Sequence, residues 1–210
     1  MKTKLLTSLL SLSFAISASA AWTTIDNLPG ASVDGTNAQT SSSTDVDTSN
    51  LIDGGTGTGA SDKWYTTAFD SAAPPVIIFD LGADITMDAF AVYGYHGNLN
   101  NGASNNTISS FTLEFATAAE GSTTFGQSYS KIDETIDAKF KNSEFYTSDY
   151  GQDITARYIK VTITGNFGGD IVGSTEMNIN VVDTDVVPEP SALTLLGLGG
   201  LGLVLRRRRA

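Results

Sequence analysis

Short runs of alternating apolar and polar residues recur through the middle of this 210-residue chain. In SFTLEFAT (110–117), Phe111, Leu113 and Phe115 fall on one side, with Thr112 and Glu114 opposite. ARYIKVTITG (156–165) sets Ile159, Val161 and Ile163 against Tyr158, Lys160 and Thr162, and EMNINVV (176–182) groups Met177, Ile179 and Val181. DAFAVYGY (88–95) places Phe90 and Val92 on one face and Tyr93 and Tyr95 on the other. PPVIIFDLG (74–82) holds a four-residue apolar strand, expected to be buried on both sides and stopped by Asp80-Leu81-Gly82. Successive side chains of a strand point to opposite faces, so each run has one face to bury. No stretch carries a helical stripe of comparable quality. The pattern predicts an all-β, two-sheet sandwich. Residues 30–50 hold little apolar material and are expected to form a loop-rich lead-in rather than a packed element. Between 128 and 150 the pattern is noisier, with one or two strands expected around Ala138–Tyr146.

The two ends differ from this body. The chain opens with MKTKLLTSLLSLSFAISASA: two lysines, an apolar stretch from Leu5 to about Ile16, then Ala18-Ser19-Ala20. That order predicts a signal peptide (1–20) cut before Ala21. The chain closes with VVPEPSALTLLGLGGLGLVLRRRRA, whose segment Ser191–Leu205 carries no charge. Its glycines (Gly197, Gly199, Gly200, Gly202) make it a poor helix in water. In lipid they are tolerated, because a helix satisfies its own backbone there. We expect a short membrane helix at 191–205, held by Arg206–Arg209 on the cytoplasmic side. Pro188-Glu189-Pro190, the apolar segment and the arginine cluster together resemble the PEP-CTERM sorting signal (188–210). That resemblance implies an exosortase as sorting partner, in a bacterium that makes exopolysaccharide. It implies an exported protein, anchored at least transiently through its tail in the cell envelope or released outside the cell.

Six of the 12 basic residues lie in these ends, which leaves six in residues 21–187 against 22 acidic ones, a net charge of −16. Phosphate recognition needs a basic face, so nucleic acid is excluded as a partner, and anionic lipid surfaces are disfavoured. No cysteine is present, which removes disulfides and thiol chemistry. His96 is the lone histidine, so neither a histidine zinc cluster nor a Ser-His-Asp triad is expected. Gly54–Gly59 reads GGTGTG with no Lys-Ser/Thr after it, so it is not a phosphate-binding loop.

The order of the body's pieces carries a second resemblance. NLIDGGTGTGASDKWYTT, PPVIIFDLG, DAFAVYGY, FTLEFATAAEG, ARYIKVTI and STEMNINV follow one another as in the discoidin-like domain, the family of coagulation-factor C domains and many bacterial carbohydrate-binding modules. The resemblance spans roughly Asn50 to Val182 and implies a galactose-binding-like jelly-roll sandwich, placed here at 50–187 behind a lead-in at 21–49. It departs at Gly54–Lys63, a longer gap before the tryptophan than the family usually has. It also implies a structural calcium ion (Ca2+), held by Asp53 and Glu176 with carbonyls of Gly55–Thr58. Calcium takes six to eight hard oxygens, and a glycine-rich loop lets carbonyls converge without Cβ clashes.

YGYHGNLNNGASNN (93–106) is the candidate ligand loop, at a strand end where sandwich modules present their ligands. His96 and Asn98 can donate to and accept from sugar hydroxyls, and Tyr95 is expected to stack on a sugar ring. Trp64 is expected to pack in the core, where a large ring contributes most. The resembling galactose binders use an arginine; Arg157, alone in the body, begins a strand and is expected to pair there. With 22 acidic residues some pair always meets the spacing of a glycosidase, so the count is no sign of catalysis. The expected function is binding of an extracellular polysaccharide or glycan without turnover. The alternative is a structural matrix protein without a ligand pocket.

Overall fold

The structure, a computed structural model, describes residues 20–36, 47–57 and 59–182. The expected signal peptide up to residue 19 and the sorting tail, with the helix expected at 191–205, lie outside the described residues. The strands, in chain order, are β1 (Ala20–Thr24), β2 (Ser32–Thr36), β3 (Trp64–Tyr65), β4 (Val76–Tyr93), β5 (Ile108–Ala116), β6 (Ile132–Thr135), β7 (Phe145–Asn166), β8 (Gly173–Ser174) and β9 (Met177–Val182). They join with antiparallel pairing in the order β1-β9-β4-β7-β5-β6, with β2 also on β4 and a small β3-β8 pair beside them.

The two long strands make one hydrogen-bonded sheet into a sandwich. β4 breaks register with β7 between Asp80 and Ile85. Before the break it pairs with β2 and with Tyr158–Thr162 of β7. Beyond it, β4 pairs with β9 and with Phe145–Ala156. The two halves face each other across the core. Phe79 meets Phe90 at 5.9 Å between ring centroids, Phe90 meets Phe111 at 6.4 Å, and Phe115 meets Tyr150 at 5.1 Å. The faces read from period 2 are the buried ones. Phe90, Val92, Leu113, Phe115, Ile159, Val161, Ile163, Met177 and Ile179 have no exposed surface, and Phe111 has almost none. Burying such side chains contributes about 1.5–3 kcal/mol each. Val181 is half-buried against this cluster.

Three expectations change. Asp80-Leu81-Gly82 bends a strand rather than ending one: the Gly82 N–H donates to Asp80 Oδ1 at 2.8 Å, and Gly82 has φ 80°. A Cβ at Gly82 would run into the Pro29 carbonyl oxygen. The run before it alternates, with Ile77 and Phe79 buried and Val76 and Ile78 half-exposed, because only one face of this layer meets the core. The segment 21–49 is not only a lead-in. β1 pairs with β9 and β2 with β4, so backbone hydrogen bonding builds strands where side chains give little apolar signal. Finally, the strands of 128–150 are Ile132–Thr135 and the start of β7, with turns at 138–144.

Candidate functional site

β4 ends at Tyr93, and Gly94 then sits against the backbone of Phe140 and Lys141, where a Cβ would collide. The chain then turns and carries Tyr95 inward. Its ring is 6% exposed, edge-on to Tyr65 at 5.9 Å, with the Lys63 ammonium 4.5 Å from its centroid. Burial, with Tyr65 beside it, pushes its hydroxyl up to about 12, against a hydrogen bond from Asn106. Tyr95 therefore packs the end of the sandwich and offers no open face for a sugar. His96 is half-buried, and its Nδ1 accepts the Asn98 N–H at 3.1 Å. Asn98 is exposed, and its Oδ1 accepts the Asn100 N–H at 3.0 Å. The structure brings His96 and Asn98 together in one turn and separates Tyr95 from them.

The concavity of this loop lies further along. Gly102–Asn106 form a short 3-10 helix, started by the Asn101 side chain accepting from the Ala103 N–H at 2.9 Å. This turn faces the Gly168–Ile171 segment across a recess of about 410 Å3, lined by Gly102, Ala103, Asn105, Asn106, Asp170 and Ile171 among others. Asn166 holds the far wall, donating to the Gly169 and Ile171 carbonyls at 2.7 and 2.6 Å. Lys139 braces the near wall, donating to the Leu99 carbonyl at 3.4 Å, Ser104 Oγ at 3.2 Å and Asn105 Oδ1 at 2.9 Å. Sequence reasoning missed Lys139, Asn166 and Asp170. Asn105 and Asn106 were within the quoted loop, but no local signal set them above its other asparagines.

Glu176 lies just before β9, only 1% exposed. Its Oε2 accepts the Gly54 N–H at 3.0 Å, which docks the Asp53 loop onto it. The Asn178 amide, suitably oriented, donates to Oε1 at 2.9 Å. Burial pushes the carboxyl up to about 9; the Gly54 N–H opposes this, and the Asp53 and Asp26 charges add to it. Asp53 is exposed, its Oδ1 accepting the Gly55 N–H at 2.7 Å. The Thr56 and Gly57 carbonyls converge on Asn142 Nδ2, at 3.0 Å for Gly57. Toward a hard cation the loop offers a buried carboxyl with a second acid beside it, while the Thr56 and Gly57 carbonyls are engaged by Asn142. Among the described residues no three acidic, histidine or cysteine side chains converge for a metal, so carbonyls would have to complete the shell.

Trp64 has no exposed surface, in line with a core role. Arg157 is a strand residue away from the recess. It pairs with Asp80 through two hydrogen bonds, at 2.8 and 3.0 Å.

Comparison with known proteins agrees with this architecture. CpGH89CBM32-5 from Clostridium perfringens, solved with GalNAc-β-1,3-galactose, superposes with a TM-score of 0.56 at 16% identity, over 76% of this chain and 99% of that one. The lectin domain of lectinolysin, solved with Lewis B antigen, gives 0.52 at 14%, over 74% and 94%. A fucolectin from striped bass (Morone saxatilis) serum gives 0.55 at 12%, over 77% and 49%. No curated protein matches. The PEP-CTERM protein-sorting motif matches residues 186–209, marking an exported protein. The F5/8 type C domain matches residues 34–177, and the chain belongs to that discoidin-like family.

Proposed function

We propose that this chain is a non-catalytic, exported carbohydrate-binding protein of the cell surface or exopolysaccharide matrix, which takes a neutral glycan at the recess between Gly102–Asn106 and Gly168–Ile171. The braced recess itself carries the reading. Its walls offer the amides of Asn105 and Asn106 and the Asp170 carboxylate, groups that pair with hydroxyls as donors and acceptors. His96 and Asn98 shape the preceding turn. The similar solved structures, two lectins and a module holding GalNAc-β-1,3-galactose, support the sugar class. Asp53 and Glu176 would hold calcium, a charge for the buried carboxyl and a clamp on the loop. The tail, expected to span the membrane at 191–205, would pass to an exosortase. One observation favours a structural matrix role instead: no aromatic ring lines the recess. The test is binding of the exported protein to GalNAc-β-1,3-galactose, Lewis b and a panel of neutral polysaccharides. Binding weakened at least about tenfold by Asn105→Ala and Asp170→Ala supports the reading. No binding to any of them overturns it in favour of the matrix role.

A further inference from the structure

We infer that the outer face of the β1-β9-β4-β7 layer is a second glycan-binding surface, built from Trp22, Phe145 and Tyr93 and separate from the recess. Trp22 and Phe145 are the large hydrophobic residues left exposed among those described, at 40% and 41%. They touch each other, with ring centroids 5.2 Å apart, and Phe145 lies 5.1 Å from Tyr93. Three rings thus form one continuous strip.

The sheet register explains how residues so distant in sequence meet. Trp22 pairs with Asn180 across β1-β9, and Tyr93 pairs with Phe145 across β4-β7. β9 and β4 lie between β1 and β7, so rings in contact must reach over those two strands. By alternation Asn178, Asn180, Ala91 and Thr147 share this face, opposite the inward Met177, Ile179, Phe90 and Val92. Small Ala91, with no exposed surface, lets the rings lie down over the sheet. Exposed Thr147 and Asp149 border the strip and supply polar groups at its edge.

The occupant follows from size and charge. Two rings at 40% exposure leave on the order of 150–200 Å2 of open aromatic surface. A stable protein partner buries about 800 Å2 on each side, so this strip is too small for a second chain and suits a few sugar rings. The body's net charge of −16 and the nearby Asp88 and Asp149 disfavour an anionic ligand, leaving a neutral glycan whose apolar faces stack on the rings. Successive rings are inclined by 36° and 66°, so the strip matches a single chain that can twist rather than a flat crystalline face.

Trp22 gives a direct readout, because Trp64 is fully buried and acrylamide reaches Trp22 far more readily. The exported protein is titrated with soluble cellohexaose, chitohexaose and mannohexaose, and separately with phosphatidylcholine vesicles. At least one hexasaccharide should cut Trp22 quenching about twofold or more, while vesicles leave it unchanged. Calorimetry should show Phe145→Ala weakening that sugar about tenfold and Phe145→Tyr restoring most of it. Protection by vesicles alone makes the strip a lipid contact and overturns the proposal. Hexasaccharide binding lost in Asn105→Ala but intact in Phe145→Ala overturns the second surface and leaves the recess standing. Binding to galactose-type probes but to no hexasaccharide also overturns it.

Discussion

Replacing Glu176 tests the proposed calcium site most sharply, because burial and titration make linked forecasts. A carboxyl held at about 9 in the folded chain, against an ordinary 4.5, binds its proton more tightly folded than unfolded. Between those values the unfolded chain carries fewer protons, so stability falls as pH rises from about 4.5 to about 9. Each unit corresponds to about 1.4 kcal/mol, which sets a ceiling on the order of 6 kcal/mol. The carboxyls of Asp80, Glu120, Asp133 and Glu144 are lowered instead, so their effects fall at acid pH and leave pH 5–8 clear. Thermal melts of the exported protein in chelator should therefore show a lower midpoint at pH 8 than at pH 5. Calcium at a hundred times its dissociation constant adds about 2.7 kcal/mol. At roughly 2–4 °C per kcal/mol, that is a rise of about 5–11 °C at pH 8. Magnesium, which prefers a smaller octahedral shell and keeps its waters, should do little. Glu176→Gln should flatten the pH slope and lose the calcium gain, and Asp53→Asn should lose most of the gain. Equal midpoints at pH 5 and 8 in chelator would refute the account of Glu176, and equal midpoints with and without calcium would refute the metal.

Trp64→Ala should destabilise the fold by about 3–5 kcal/mol in urea titration, since it empties a fully buried site. Arg157 holds the Asp80 carboxyl below its usual range chiefly by hydrogen bonding, so that pair stabilises the fold above the ordinary aspartate pKa and the gain is lost as pH falls through the lowered value. Arg157→Ala should accordingly lower stability at neutral pH and shrink the loss on acidification, read by melts across pH 2–6. Lys139→Ala should speed amide exchange in 99–105 several-fold while leaving the β5 amides protected, because three of that loop's acceptors lose their donor.

The core was legible because a half-buried strand writes its inner face into every second residue, as at Phe111, Leu113 and Phe115. The continuity of β4 was not, because Asp80-Leu81-Gly82 has the chemistry of a turn. The same residues serve a bulge when the flanking strands stay paired, and pairing is a long-range fact. Tyr95 was misplaced for a related reason. Period 2 puts it beside Tyr93, but the strand stops there and the chain bends at Tyr95. Asp53 and Glu176 were brought together by order of motifs rather than by any local pattern, and the Gly54 N–H now bridges them. Trp22 was passed over, since a single aromatic after a cleavage signal says nothing about the ring it meets 123 positions later at Phe145. Lys139 was passed over because an isolated lysine in a loop normally faces water.

The place of β9 has a mechanical consequence. Its last residue, Val182, lies opposite Ala20. β9 is also an inner strand, hydrogen-bonded to β1 on one side and β4 on the other. Any pull transmitted along the tail would load two ladders in shear at once, and their rungs must yield together rather than peel singly. A cut before Ala21 would remove one rung of β1 and leave four to brace β9 against that load. A tail that served as a tether, as proposed, would thus pull on a strand held from both flanks.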